Sequence, residues 1–284
     1  MRKLLYKTLK WDNEFKEHKK VMDDLVKRND GAGMNQINIE RMLHTYLYPE
    51  PVPRIGFPVI HDECSLWYQI AGQYFLWSWY DYELKTDMEN SVSHMYLYVL
   101  AITKAYELRT SGIEITNNAI RRNFQESKDM NKICFSAIAV NEFPVFEKYA
   151  DGNGRIITAM FHEDYDKVQY LIQELPDTEE MYKKNKNYMS YYFDDIFLKD
   201  LYLSILQQDE EAFNKALINR IRNVRGGYIM PVDVVSLAMI KFARKQGLDY
   251  GIDVIEIPKF FLEDDLKIDK EKYKLPDMNN PVVV

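Results

Sequence analysis

Four residues in a row, His61-Asp62-Glu63-Cys64, are of the types that bind metals or act as acids, bases and nucleophiles. Adjacent residues on a helix point in different directions, so these four do not converge on one ion. Zinc motifs use separated pairs, and His18, His44, His94 and His162 offer none at such spacing. Asp62 is therefore read as a helix cap, and no metal is expected. Cys64 would need a histidine partner to act as a nucleophile, whereas a small buried thiol is the commoner role of cysteine. Three acidic groups also stand out: Asp194-Asp195, Asp209-Glu210-Glu211 and Glu263-Asp264-Asp265. Solvated helix ends ordinarily carry such charge. Gathered at the ends of paired helices, the first two would form an acidic patch that speeds association with a basic partner. Tyr191 and Tyr192, with Tyr188 just ahead of the first group, are of the kind that anchors interfaces. The candidate partner-binding set is Asp194, Asp195, Asp209, Glu210, Glu211, Tyr191 and Tyr192.

The segment EKYADGNGRIIT, Glu147 to Thr158, resembles the motif of Fic-type AMP-transferases, His-x-Phe-x-Asp-Gly-Asn-Gly-Arg-x-x-Arg. Asp151, Gly152, Asn153, Gly154 and Arg155 match it. In that family the Gly-rich turn and the helix start bind phosphates, and the Arg assists. Two positions depart. The general-base His is Glu147 here, and the final Arg is Thr158, so the family's reaction would lack its proton acceptor. Read by themselves, Gly and Asn in this run make a tight turn that needs positive φ, and that is the reading adopted. A degenerate nucleotidyl-transferase is the enzymatic alternative. The expectation is a non-catalytic protein with no cofactor.

Charge narrows the partners. Lys and Arg number 37 against 44 Asp and Glu, a net −7. Nucleic-acid surfaces are read by basic proteins, so no nucleic acid is expected; a basic protein partner, drawn in electrostatically, fits better. With 46% hydrophobic and 14% aromatic residues, the 284-residue chain can bury a full core without disulfide or metal support. Cys64 and Cys134 are the only cysteines and read as free thiols in a reducing compartment. Met1 to Lys10 is too interrupted by charge for a signal peptide. The longest uncharged run, Ser65 to Tyr80, is shorter than a membrane span. A soluble, cytoplasmic protein without membrane contact is expected.

The elements that must position these residues are helical. Leu4, Trp11, Phe15, Met22 and Leu25 line a first helix that stops at Gly31, and Ile39, Leu43, Tyr46 and Leu47 a short second one. Pro49, Pro51, Pro53 and Pro58 then impose an extended link. Ser65 to Leu84 is apolar nearly all round and should be a central helix, with Trp67, Trp77 and Trp79 as its bulk. Ser91 to Leu108 is similar. Thr116 is placed as the cap of a short helix holding Ile120 and Phe124; a further helix is expected from Ile133 to Glu142, and Pro144 starts a new turn. The run from Phe161 then aligns with the run from Leu206 at an offset of 45 residues. Asp164 matches Asp209, Val168 matches Phe213, and Leu171 and Ile172 match Ala216 and Leu217. Such an offset suits stacked two-helix units. Phe193, Ile196, Phe197, Leu201 and Ile205 mark one helix, and Asp209 caps the next. A basic loop follows from Arg220 to Arg225, and Pro231 opens a third helix that ends at Gly247. Tyr250, Ile252 and Val254 alternate as an extended segment up to Ile257. The expected fold is a single all-α domain over 1–284, built of stacked helical hairpins in an α-α superhelix-like arrangement with a short extended C-terminal segment. A helical part covers about 1–128, a hairpin-repeat-like part about 129–262, and a frayed tail 263–284.

The runs LKDLYLSILQQDEEAFNKALINRI and PVDVVSLAMIKFARKQGLDYGIDVIEIPKFFL resemble the C-terminal part of the immunity protein 49 family, bacterial proteins found beside polymorphic toxins. The matching features are Asp209 to Asn214 opening a helix, Ala243 to Leu248 closing one, and the tail from Ile252 to Pro258. The resemblance covers roughly the last quarter of the chain, and its motifs are packing patterns. It implies an all-α protein that binds and neutralises a toxin made by its own or a related cell, and it brings no catalytic residue. The expected function is that of a bacterial immunity protein whose partner is a cognate toxin domain. A helical-repeat scaffold or regulatory protein-binding module is the alternative.

Overall fold

The computed structural model describes residues 31–48, 60–82, 87–117, 120–121, 128–150, 154–175, 197–227, 232–254 and 257–278. These hold ten α-helices, two short 3-10 turns and no strand, so the fold is all-α. The helices are α1 (Gly31–Leu47), α2 (Glu63–Tyr80), α3 (Met88–Thr110), α4 (Lys128–Ala139), α5 (Phe143–Phe146), α6 (Gly154–Phe161), α7 (Tyr165–Ile172), α8 (Leu198–Leu206), α9 (Glu210–Gly227) and α10 (Val234–Lys245). The chain divides into two compact units. One comprises Leu5–Asp129, Glu142–Tyr149 and Asp265–Val284; the other comprises Met1–Leu4, Met130–Asn141 and Ala150–Asp264.

In the first unit α2 and α3 form the central pair, and α1 packs on α2. α2, expected to be buried on all sides, turns one stripe inward, with Leu66, Trp67, Ile70, Ala71 and Tyr74 buried together, while Gly72 and Leu76 on the other side are exposed. Serines let the two helices touch. Ser78 Oγ donates to the Ser91 carbonyl at 2.6 Å, and Ser91 Oγ donates to the Ser78 carbonyl at 2.8 Å. Asp87 caps α3 through the Asn90 amide at 3.1 Å, and Gly112, at φ +91°, lets the chain leave it. Phe143 and Phe146 of α5 are fully buried, the latter edge-on to Tyr106 at 5.6 Å. Gly31 opens α1, where the sequence had placed the end of the preceding helix. Thr116 is not a cap: the Asn117 side chain accepts from the Ile120 amide, while Thr116 bonds to Asp62. The tail expected to fray from Glu263 is packed as far as it is described, to Met278. Tyr273 is only 3% exposed, lies edge-on to His94 and donates its hydroxyl to Asn90, while Lys270 pairs with Glu142. One buried aromatic ring outweighs the charged residues around it.

The second unit stacks two hairpins, α6–α7 and α8–α9, through α7 and α8, with α10 against α8. The two hairpin turns are alike. Glu163 and Gln208 are both left-handed, at φ +59° and +53°. The next residue in each, Asp164 or Asp209, donates its amide five residues back, to Ala159 or Ser204, at 2.9 Å. Each Asp then caps the following helix, accepting from the Lys167 or Ala212 amide at 3.2 and 2.9 Å. Val168 and Phe213, at matching positions, are fully buried. Three expectations are corrected here. Phe197 is not in a helix: it precedes α8 in a left-handed conformation, at φ +57°. The span from Arg220 to Arg225 is part of α9, not a loop. The third helix begins at Val234 and is capped by Asp233, whose carboxylate accepts from the Ser236 amide. Gly247, at φ +77°, closes α10, and the Leu248 amide returns to the Ala243 carbonyl at 3.0 Å. The non-helical segment beyond it buries Ile252 and Ile257. The helix placed over Leu4 to Leu25, the Pro49 to Pro58 link, Phe124, Phe193, Ile196 and Pro231 lie outside the described residues.

Candidate functional site

Both hairpin turns and the end of α10 come together within the second unit. Gln246, at the end of α10, donates its side-chain amide to the Tyr165 hydroxyl in the first turn of α7. The Lys245 ammonium lies 5.1 Å from the centre of the Phe161 ring, at the end of α6. Asn214, in the first turns of α9, donates to the Asp249 carbonyl at 3.1 Å and accepts from the Gly251 amide at 2.7 Å. Glu210 accepts from the Asp249 amide at 3.1 Å. These bonds gather exposed carboxylates along one edge: Glu163, Asp164 and Asp166 from the first turn, Asp209, Glu210 and Glu211 from the second, and Asp249 beyond α10. Lys167, Lys215 and Lys245 are interspersed among them. Asp164 and Asp209 hold their helices as caps, and Glu210 holds the segment after α10. Glu163, Asp166 and Glu211 do none of this and are exposed.

Of the residues proposed from the sequence, Asp209, Glu210 and Glu211 lie on this edge. Asp194, Asp195, Tyr191 and Tyr192 lie outside the described residues, as does Tyr188. Glu163, Asp164, Asp166 and Asp249 were missed as site residues. The 45-residue offset carried the signal for two of them, since it sets Asp164 on Asp209 and Asp166 on Glu211. Asp249 had no local signal; its place depends on Asn214, 35 residues away.

The segments with catalytic potential have packing roles. Asp62 is buried and accepts four hydrogen bonds: from the Ser65 amide at 2.6 Å and hydroxyl at 2.8 Å, and from the Thr116 amide at 3.0 Å and hydroxyl at 2.6 Å. Burial raises its pKa, but these donors outweigh burial and hold the carboxyl below its ordinary value. Glu63 accepts from the Trp67 indole at 3.0 Å. Cys64 Sγ donates to the Ala105 carbonyl at 3.2 Å, and burial pushes its thiol up to about 12, away from a reactive thiolate. Among the described residues no group of three His, Cys, Asp or Glu side chains is placed to hold a metal. Asp151, Gly152 and Asn153 lie outside the described residues. Gly154 opens α6, and a Cβ there would meet Ala150 Cβ at 3.0 Å and Cys134 Sγ at 3.3 Å, so glycine is needed for close packing. Thr158, at the position of the transferase motif's last Arg, donates to the Gly154 carbonyl at 3.0 Å.

Two cations, Arg220 buried and Lys241 half-buried, were not anticipated. Arg220 is 1% exposed and grips Asp233 with Nε and Nη2, both at 3.0 Å. Lys241 donates to the Ala139 carbonyl at 2.7 Å, the Ile138 carbonyl at 3.3 Å and Asn141 Oδ1 at 2.8 Å, closing the end of α4. Burial draws the Lys241 pKa down to about 7, while the exposed carbonyls of the helix end favour the charged form.

Comparison of the chain with protein-family models, curated proteins and solved structures finds no match. Among the described residues no helix is long and apolar enough to cross a membrane.

Proposed function

We propose that this chain is a toxin-neutralising immunity protein that acts by binding, and that the acidic edge of the second unit is where a basic toxin domain docks. The observation that carries this reading is the convergence of both hairpin turns and the end of α10, which sets Glu163, Asp166 and Glu211 beside three structurally engaged acids. Fields of one sign on a rigid scaffold attract an oppositely charged partner over about 10 Å at 0.1 M salt. The resemblance of Asp209 to Asn214 and of Ala243 to Pro258 to immunity proteins adds support, because those stretches build this same edge. A cytoplasmic site of action accords with the two free thiols.

The test is rescue. The C-terminal domain of the protein encoded by the neighbouring gene is tested for toxicity in a sensitive host, alone and together with this protein. Restored growth and a purified complex of the two are expected. A toxin that kills equally in both cases refutes the reading. A general scaffold would bind partners that are not toxins and give no rescue, which separates the two binding functions.

A further inference from the structure

We propose that Tyr170 anchors the docking surface of the second unit by receiving an arginine of the partner protein, with Asp166 beside the ring to pair its charge. The proposal rests on the reading of the acidic edge as a docking surface, and adds the residue and the partner chemistry that hold the complex.

Tyr170 lies on α7, one turn after Asp166. It is 66% exposed, and among the described residues of the second unit no other large hydrophobic side chain is exposed. Packing does not call for a ring there. α7 turns Val168, Leu171 and Ile172 inward, and Tyr170 is on its other side. At the 45-residue offset that sets Asp164 on Asp209 and Val168 on Phe213, Tyr170 falls on Lys215, which is also exposed. The same position carries an aromatic ring in one hairpin and an ammonium in the other, so the hairpin fold leaves this choice open. A single exposed apolar residue is ordinary on a surface. This one stands at an edge of net negative charge, and tyrosine offers a partner a large face with few rotatable bonds to freeze.

The neighbours of the ring decide what it can receive. Residues three and four apart share a helix face, so Asp166, Lys167 and Gln173 flank Tyr170. Glu163 lies a further turn back, and Glu174 lies in the turn that closes α7. All five are exposed. Three carboxylates thus stand against one ammonium. Among the described residues the side chains of Asp166, Lys167, Tyr170 and Glu174 make no hydrogen bond or ion pair. The next cation along, Lys199, is taken up by the Leu175 carbonyl at 3.4 Å. An aromatic face beside unpaired carboxylates fits a flat cation. A guanidinium lies on the ring and still forks a carboxylate with its edge, whereas an ammonium is a point charge that cannot stack. The partner is therefore a protein whose contact surface presents arginine.

The test is titration of the full chain with fluorescein-labelled hexa-arginine and hexalysine peptides at about 0.1 M salt, followed by anisotropy. Hexa-arginine is expected to bind about threefold tighter than hexalysine. Tyr170→Leu should remove that preference and leave hexalysine binding and the melting temperature unchanged. Tyr170→Phe should keep it, since the ring face and not the hydroxyl holds the cation. Asp166→Asn should weaken hexa-arginine more than hexalysine. The proposal is overturned by equal binding of the two peptides to the parent, by a preference that survives Tyr170→Leu, or by one that is lost in Tyr170→Phe. A preference that depends on Tyr170 in a protein that gives no toxin rescue would overturn the toxin reading and leave this one standing. Rescue by the parent and by Tyr170→Leu alike, with no preference between the peptides, would do the reverse.

Discussion

Removing one member of the Arg220–Asp233 pair should take away a large share of the stability of the second unit. Arg220 is fully buried, and its two bonds to Asp233 join α9 to the start of α10. Asp233 also caps α10 through the Ser236 amide at 3.3 Å. Arg220→Met would leave a buried carboxylate without its cation, and Asp233→Asn would remove the negative charge that offsets the buried guanidinium. Either change should cost about 3–5 kcal/mol, as for other buried pairs broken on one side. The double variant Arg220→Met/Asp233→Ser removes both charges and keeps a side chain able to cap. Its cost should fall to about 1 kcal/mol, which makes the two changes strongly non-additive. The assay is urea unfolding followed by circular dichroism, at about 0.1 M and 1 M salt, because a buried pair is little screened. Single variants within about 1 kcal/mol of the parent would refute the reasoning, as would a double variant as unstable as the sum of the singles. Since α9 carries Glu210 and Glu211 in its first turn, the single variants should also bind the proposed toxin partner more weakly than the double one.

Three other outcomes are expected. Asp62→Asn should cost about 2 kcal/mol at pH 7, from weakened bonds to Ser65 and Thr116. The folded pKa of Asp62 lies below its unfolded value, so its contribution is complete above about pH 4 and is lost as pH falls through the folded value; acid titration of stability should be flatter in the variant than in the parent. Trp77→Ala should destabilise by about 3–5 kcal/mol in a urea melt, because the ring is 8% exposed and stacks on His94 at 4.1 Å; a change near zero would remove α2 from the centre of the first unit. The triple variant Glu163→Gln/Asp166→Asn/Glu211→Gln should fold normally yet associate with the cognate toxin more slowly and with a weaker salt dependence; association as fast as the parent at low salt would move the docking surface elsewhere.

What could be read in the sequence was what neighbouring residues decide among themselves. Asp62 and Asp209 were legible as caps because a capping carboxylate reaches an amide three residues on, and Gly247 was legible as a helix end because positive φ favours glycine. The all-α character followed from apolar periodicity, which likewise acts within a turn or two, and the central place of α2 from its largely apolar composition. Arg220 was misread for the opposite reason. A run rich in Arg and Asn looks like a solvated loop until Asp233, 13 residues away, supplies the charge that lets the guanidinium be buried. The tail was misread because its charged residues dominate its composition, while its order depends on Tyr273 finding Asn90, 183 residues earlier. The acidic edge divides the same way. Asp209, Glu210 and Glu211 stand together in the chain, but their union with Glu163, Asp166 and Asp249 required helix ends to meet through Tyr165–Gln246 and Asn214–Asp249. Local bonds are encoded at fixed spacing along the chain. Buried charges, enclosed space and converging helix ends are set by distances that only tertiary packing creates.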